Sequence, residues 1–421
     1  MAAETVPLSS LPLGLVLIFF SYIDSICTSL NFPQWRDSLP FGLGSGEGFL
    51  SQQFPRNMGG SYFPRLPTYA DFVAEHNLAP WDLSTMMQFA KIPTTSLAVM
   101  TTPDALVVLF ALVLLMRRVK GISIPLFCFI GARAGRSTHG VEWEKENEER
   151  IIKFGEYAFR LIYHSAVSGF GIWYFWDKPW WNQEQGGAKM VYVDYPFQPV
   201  ETGMLWYYMI QCAYNVEAML SLLELSFIAE FQNPFNANAK GGSKFQSPVN
   251  ISWNPTCRGD FQEMFAHHVI TNLLIFGSSY SRFTRVGSMV FLVHDISDVP
   301  VDLSKLANFM KWKVTTVVCF VTLLVVWAIT RLGILPFVII KSAMLDSHVL
   351  YLEGTMDIMY YKMCFSVFLS LLIGITSLHV LWFAILFRIG FRLVRKGERH
   401  DLTEYKQGED QGTAVSKKKV A

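Results

Sequence analysis

Residues 263–309 read EMFAHHVITNLLIFGSSYSRFTRVGSMVFLVHDISDVPVDLSKLANF, and this stretch decides the fold class of the chain. Two apolar segments, 263–281 and 286–300, are separated by a short break near Phe283, which predicts a helical hairpin in a membrane. Three histidines and several acidic residues nevertheless interrupt the apolar letters. Ionisable side chains are costly inside a bilayer and by default mark a functional site. The hairpin is therefore the first place to look for chemistry.

The composition of the whole chain predicts an all-α, polytopic membrane protein surrounded by lipids. Of 421 residues, 51% are hydrophobic and only 16% are charged, against a usual charged share of about 25%. The formal net charge of +1 gives no indication of nucleic-acid binding. The six cysteines are scattered, so no disulfide or zinc framework is expected. About 20 residues cross a bilayer, and the candidate spans lie near 11–30, 97–117, 155–176, 203–229, 263–281, 286–300, 314–340 and 363–387.

The distribution of cations predicts the orientation of these spans. Four segments hold 23 of the 35 Lys and Arg residues, and alternating spans place all four on one side, which should be the cytosol. The tail contains Lys418-Lys419, which resembles a dilysine signal for retrieval to the endoplasmic reticulum. We therefore expect a multi-pass protein of that membrane with a cytosolic C-terminus. The four segments are 117–153, 230–262, 300–313 and 388–421.

Spacing within the hairpin predicts which side chains meet. His268 lies fifteen residues before Phe283 and Asp298 fifteen after it, so at about 1.5 Å per residue both lie roughly 22 Å from the turn. His294 and Asp298 share a helix face at i,i+4 spacing. Folding should therefore bring imidazoles opposite carboxylates near the cytosolic ends of both helices. Histidine can accept a proton or an acyl group there, and a carboxylate can orient it.

The same residues resemble the longevity-assurance motif of ceramide synthases. That motif combines a His-His-x-x-Thr start with Ser-Tyr, Arg-x-Gly, His-Asp-x-Ser-Asp and an acidic-x-x-Lys stretch. The chain departs from it at Phe283, where the family usually has Asn, and at Asp302, where it has Glu. The matching residues are His267, His268, Thr271, Ser279, Tyr280, Arg285, Gly287, His294, Asp295, Ser297, Asp298, Lys305, Asn308 and Phe309.

The resemblance implies a TLC-type six-helix bundle with one or two additional N-terminal membrane helices. Its domains would be an N-terminal anchor or interfacial helix with a lumenal segment (1–96), a transmembrane helix and basic cytosolic segment (97–151), the catalytic TLC domain (152–390) and a cytosolic tail (391–421). The substrates would be a fatty acyl-CoA, as co-substrate rather than bound cofactor, and a sphingoid base, with (dihydro)ceramide as product. The resemblance leaves open whether the protein forms a homo- or hetero-oligomer or binds a regulatory subunit. The lumenal loop 341–362 would help to set acyl-chain length.

Roles within the site follow from the same resemblance. His267 would be the acyl acceptor or nucleophile and His268 the base or an oxyanion-side donor, although their roles are interchangeable at this stage. Asp295 and Asp298 would orient and charge-balance them, and His294 would complete the network. No metal is expected. The residues expected to bind substrate are Thr271, Tyr280, Arg285, Lys305, Glu217 and Glu224.

Several polar residues admit a structural role as well. Glu217 and Glu224 are i,i+7 on one span, where lining a substrate tunnel and interhelical hydrogen bonding explain them equally well. The lone residues His164, Arg331 and His379 are expected to be structural.

Two other classes of protein compete with the acyltransferase. A di-iron hydroxylase needs several histidine boxes, and a chain with nine histidines and one adjacent pair does not supply them. A non-enzymatic TLC-domain protein, translocon-associated or lipid-sensing, is the stronger alternative. The complete set of motif histidines and aspartates argues for the enzyme.

Overall fold

The computed structural model of the chain describes residues 5–7, 69–79, 82–94, 103–196, 198–231, 249–253 and 260–396. Most of these residues are helical, as the apolar periodicity predicts. The predicted span 11–30, the tail signal at Lys418 and Lys419 and most of the loop 230–262 lie outside the described residues. The α-helices are α1 (Tyr69–His76), α2 (Leu83–Ala90), α3 (Pro103–His139), α4 (Val141–Glu146), α5 (Glu148–Phe175), α6 (Thr202–Ser226), α7 (Phe261–Tyr280), α8 (Thr284–Phe309), α9 (Lys313–Trp327), α10 (Lys341–Leu345), α11 (Val349–Leu352) and α12 (Ile358–Lys396).

The described residues also form short β-strands, whereas the composition predicts helices alone. The chain divides into two compact units, the first made of Met1–Phe63 with Met219–Phe261 and the second of the rest. In the first unit β1 (Thr5–Pro7), β4 (Phe227–Phe231) and β5 (Val249–Trp253) form an antiparallel sheet in the order β1-β4-β5. Aromatic and β-branched residues in β4 and β5 favour this extended backbone. In the second unit β2 (Pro93–Thr94) pairs with β3 (Val200–Glu201).

The predicted hairpin is confirmed in the second unit. Helices α7 and α8 are joined by residues 281–283 alone, so the turn lies at the predicted position. The hydroxyl of Tyr195 donates to the Ser281 carbonyl oxygen at 2.9 Å, and the Tyr195 ring stacks on Phe283 with 5.1 Å between centroids. The turn is therefore held by the segment that connects α5 to α6.

Two helical stretches among the described residues are long and apolar enough to cross a membrane. They are Lys313–Leu352, with 40 residues, and Ile358–Phe391, with 34 residues. The first contains a π-helical segment, Ala328–Ile340, between α9 and α10. The ionisable residues of α7 and α8 lower the hydropathy of those two helices, and the six-helix count stays a prediction.

Helix α8 lies at the centre of the second unit and packs against α5, α9 and the π-helical segment. A close approach explains the glycine of the Arg-x-Gly motif, because a Cβ atom at Gly287 would lie 1.7 Å from the hydroxyl oxygen of Tyr208 on α6. Tyr208 also contacts Ser278 of α7 through a 3.1 Å hydrogen bond between hydroxyls. Gly287 therefore lets three helices meet.

Candidate active site

A cavity in the second unit runs along α7, α8 and α12. Its lining on α12 extends from Tyr361 to Ile375, a distance of about 21 Å at 1.5 Å per residue. One end is polar and contains the predicted residues His267, His294 and Asp298. The remaining wall is largely aliphatic and aromatic, with Leu274, Ile275, Val286, Val290, Phe291, Phe365, Phe368, Leu369 and Leu372 among its residues.

Asp298 is held at the polar end by two basic side chains. Arg331 Nη2 donates to Asp298 Oδ1 at 2.5 Å, and His164 Nε2 lies 3.9 Å from Asp298 Oδ2. Arg331 Nε also donates to the Ser297 hydroxyl at 2.5 Å, and its guanidinium lies over the Trp327 ring. The Arg331 side chain is almost completely buried. The carboxylate is therefore fixed from two sides.

A second carboxylate extends this buried charge cluster. His164 Nδ1 donates to Asp302 Oδ2 at 2.6 Å, and Arg160 Nε lies 3.4 Å from Asp302 Oδ1. Asp302 is the acidic residue at the position where the longevity-assurance motif usually has Glu, and it is completely buried. His164 thus lies between Asp298 and Asp302, and a buried carboxylate needs such partners to stay charged.

Asp295 has partners of a different kind. The hydroxyl of Tyr207 donates to Asp295 Oδ2 at 3.1 Å, and the side-chain amide of Gln211 donates to the same oxygen. Both donors belong to α6, so Asp295 joins α6 to α8. Asp295 also lines the cavity, so these two hydrogen bonds hold a carboxylate in its wall.

His267 stands at the polar end with an available nitrogen. Its Nδ1 atom is buried and has no hydrogen-bond partner among the described residues. The ring lies 5.3 Å from the Trp382 ring and 5.5 Å from His268, centroid to centroid. Thr271, one turn further along α7, also lines the cavity, and its hydroxyl likewise finds no partner within the described ranges. Two polar groups one turn apart on α7 therefore lack a partner among the described residues, as is common where a ligand binds.

Other predicted residues lie elsewhere. His268, Tyr280, Glu217 and Lys305 are not part of the cavity wall in the described structure. Glu217 is buried and accepts from Lys120 Nζ at 3.0 Å. Glu224 lies in the last turns of α6, in the first unit.

Arg285 holds the turn of the hairpin rather than lining the cavity. Its Nη1 donates to the carbonyl oxygens of Met190 and Val193, each at 3.2 Å. The guanidinium also lies over the Trp180 ring. Arg285 thereby ties the start of α8 to the segment between α5 and α6.

Three residues with an expected structural role take part in the site instead. Arg331 and His164 line the cavity, and His379 contacts His294. The signal for all three is a lone ionisable residue inside an apolar helix, which by default marks a site. No group of three or more potential metal ligands occurs among the residues that the structure describes.

Comparisons with known proteins identify one domain family and several relatives of the chain. Residues 245–388 match the TLC domain family. The chain is similar to human ceramide synthase 5, with 27% identity over 271 residues, which cover 63% of this chain and 58% of the human protein. It is similar to ceramide synthase hyl-2 of Caenorhabditis elegans, with 24% identity over 67% of this chain and 76% of the relative. Ceramide synthase LOH2 of Arabidopsis thaliana is 26% identical over 58% of this chain and 71% of the relative.

Residues 245–388 are therefore similar to a TLC domain, and two described helical stretches are long and apolar enough to cross a membrane. The chain is homologous to the ceramide synthases of animals and plants. The alignment spans somewhat more than half the length of the human relative.

Proposed function

We propose that the protein transfers a fatty-acyl group from acyl-CoA to the amine of a sphingoid base and releases (dihydro)ceramide. The observation that carries this proposal is an imidazole nitrogen of His267, without a partner among the described residues, at the polar end of a largely apolar cavity. Such a cavity suits a hydrocarbon chain, and the polar end suits its reactive head. The homologous proteins named ceramide synthases support the same reaction.

In the proposed reaction, His267 is the nucleophile. Its bare nitrogen attacks the thioester carbonyl carbon, the carbon–sulfur bond breaks, and CoA leaves as a thiolate that takes up a proton. The neutral amine of the sphingoid base then attacks the acyl-imidazole carbon and releases the imidazole, and the proton that the amine loses is the one that the CoA thiolate takes up. Asp298, held by Arg331 and His164, balances the positive charge that develops on the imidazole.

We propose that the end of the cavity opposite His267 determines which acyl-chain lengths are accepted. Four residues of the loop region 341–362 line it, namely Ala343, Ser347, Leu350 and Tyr361. Tyr192 joins them from the segment between α5 and α6. Burial, together with the nearby carboxylate of Asp346, raises the pKa of the Tyr192 phenol, so this part of the wall carries no charge from tyrosine.

The proposed setting is the endoplasmic reticulum membrane, with a six-helix TLC bundle and a cytosolic C-terminus. Cytosolic acyl-CoA would then reach the polar end directly. The positive-inside distribution of Lys and Arg supports this orientation.

The experiment is an N-acylation assay with purified protein, sphinganine and a panel of acyl-CoAs, with products measured by mass spectrometry. We expect (dihydro)ceramide from wild type and a loss of at least about 100-fold in His267→Ala, the size of an acid–base or nucleophilic contribution. His76→Leu, in α1 and outside the cavity wall, is the matched control. Failure of wild type to acylate sphinganine at every chain length would contradict the proposal.

A further inference from the structure

His379 belongs to α12 and is completely buried. Its Nε2 atom lies 2.7 Å from Nε2 of His294 on α8, a hydrogen-bond distance. Only one of two nitrogens in such a contact carries the shared hydrogen. Which ring donates therefore decides what His294 can offer to a substrate.

The contact of the other ring nitrogen of His294 identifies the donor in the hydrogen bond with His379. Its Nδ1 atom lies 2.6 Å from the carbonyl oxygen of Val290. A carbonyl oxygen only accepts, so Nδ1 of His294 carries a hydrogen. A neutral imidazole has a single N–H group, which leaves Nε2 of His294 bare and makes His379 the donor.

The surroundings hold His379 in the orientation that this bond needs. Trp327 Nε1 donates to the His379 carbonyl oxygen at 3.3 Å. The Trp327 ring stands perpendicular to the His379 ring at 5.7 Å, and the Trp382 ring lies at 6.0 Å. With Nε2 used as the donor, His379 Nδ1 is bare, and it has no hydrogen-bond partner in the described part of the chain.

His294 and His267 differ in how their ring nitrogens are engaged. Both nitrogens of His294 are engaged, Nδ1 by Val290 and Nε2 by His379. His267 lies on the same cavity wall with a buried nitrogen that has no partner among the described residues. Of the three histidines that line the cavity, only His267 therefore has a buried ring nitrogen without a partner in the described part of the chain.

We propose that His379 is a positioning residue that locks His294 as the Nδ1–H tautomer and so leaves His267 as the reactive imidazole. This inference rests on the proposed function for its consequence in turnover, but the tautomer itself is a property of the folded protein. The ring of His294 then lines the polar end of the cavity in a fixed orientation and without a charge. Proton acceptance and acyl transfer fall to His267.

The test in turnover compares two replacements of His379. Glutamine keeps an N–H donor near the position of Nε2, and leucine removes it. We expect His379→Leu to lower kcat at least tenfold with the KM for acyl-CoA changed less than twofold, and His379→Gln to keep at least a third of the wild-type kcat. Equal loss in both variants, or normal turnover in His379→Leu, would overturn the assignment. His76→Leu again serves as the control.

A spectroscopic readout separates this inference from the proposed reaction. In protein labelled with ¹⁵N-histidine, the signals that disappear in His294→Gln belong to His294. We expect them to show a protonated Nδ1 and a bare Nε2, and the bare nitrogen to shift in His379→Leu. An Nε2–H tautomer for His294 would refute the inference even if the enzyme is active. The expected tautomer without any N-acylation would refute only the proposed function.

Discussion

Arg331 Nη2 lies 2.5 Å from Asp298 Oδ1, and this contact ties the π-helical segment Ala328–Ile340 to the middle of α8. A second guanidinium nitrogen bonds Ser297 on the same helix. A π-helix shifts the angular position of the residues that follow each turn, and such segments are frequent at functional sites. The irregular helix therefore has a local reason, because it brings a buried cation to a half-buried carboxylate.

Loss of that cation should destabilise the fold. Arg331→Leu leaves Asp298 with only the more distant His164 as a basic neighbour. Removing one partner of a fully buried pair costs about 3 kcal/mol or more, and we expect a smaller loss here because a quarter of the Asp298 side chain is exposed. The Arg331→Leu/Asp298→Asn double variant should regain part of this loss, since no unpaired charge is left. Thermal unfolding in detergent micelles measures both. Additive losses from Arg331→Leu and Asp298→Asn would show that the two side chains do not act as a pair.

The adjacent histidines should differ in their contribution to turnover. His267 lines the cavity and His268 does not. At matched protein level in membranes, we expect His267→Ala to lose about 100-fold or more in N-acylation and His268→Ala to lose at least tenfold less than that. Incubation of wild type with acyl-CoA alone should add one acyl group within residues 263–281, detected by mass spectrometry. Greater loss in His268→Ala than in His267→Ala would reverse the roles.

Chain-length preference should follow the far wall of the cavity. Leu350→Ala removes bulk where the acyl terminus is proposed to lie, so longer acyl-CoAs should gain. A methylene group in an apolar pocket is worth roughly 10-fold or more in discrimination, so we expect the ratio of kcat/KM for long to short chains to rise about tenfold. Leu352→Ala, on the same short helix but largely exposed, is the matched control. If Leu350→Ala and wild type prefer the same acyl-CoA chain lengths, this wall does not determine chain length.

Glu217 should contribute to stability rather than to substrate binding. Its carboxylate is buried and bonded to Lys120, away from the cavity wall. Glu217→Gln should therefore lower the unfolding temperature, because the ion pair with Lys120 is lost. We expect kcat and KM per folded molecule to be unchanged, because Glu217 does not line the cavity in the described structure. A rise in the KM for sphinganine alone would instead place Glu217 in a substrate tunnel.

The orientation of the membrane helices is open to a glycosylation test. Asn250-Ile251-Ser252 is an acceptor sequence, and the proposed orientation keeps it in the cytosol, so Asn250 should stay unmodified. The substitution Glu184→Thr creates a new acceptor sequence that begins at Asn182, in the segment between α5 and α6, which the same orientation places in the lumen. We expect that variant alone to show an endoglycosidase-sensitive mass shift. A shift in wild type, abolished by Asn250→Gln, would invert the topology.

The sequence predicts the hairpin better than it predicts the partners within the site. The turn near Phe283 and the length of α7 follow from apolar runs and a break, which are local signals. Helix α8 continues to Phe309, nine residues beyond the predicted end at 300, because its C-terminal part is polar and gives no apolar run. The partners of Asp295 and Asp302 are Gln211 and His164, at sequence separations of 84 and 138. Spacing gives the depth of a side chain along its helix, whereas its partner depends on which other helices pack there.

The position of Phe283 illustrates the same limit. The longevity-assurance motif usually has Asn there, and an amide in a turn suggests backbone capping. Here the ring stacks on Tyr195, contacts Phe368 edge-on at 5.6 Å and lines the cavity. The substitution exchanges a polar turn residue for part of an apolar wall, which only the packing reveals.

The polarity gradient of the cavity has a consequence for the order of events. The apolar end is lined by Leu350 and Tyr361, and His267 stands at the opposite end. In the proposed reaction an acyl-CoA therefore enters tail first, and its thioester arrives at His267 only after the hydrocarbon has taken its place. A tail that is too long stops with its carbonyl carbon short of the imidazole. Such a molecule is rejected as a misplaced reactant, before any bond to it has been broken.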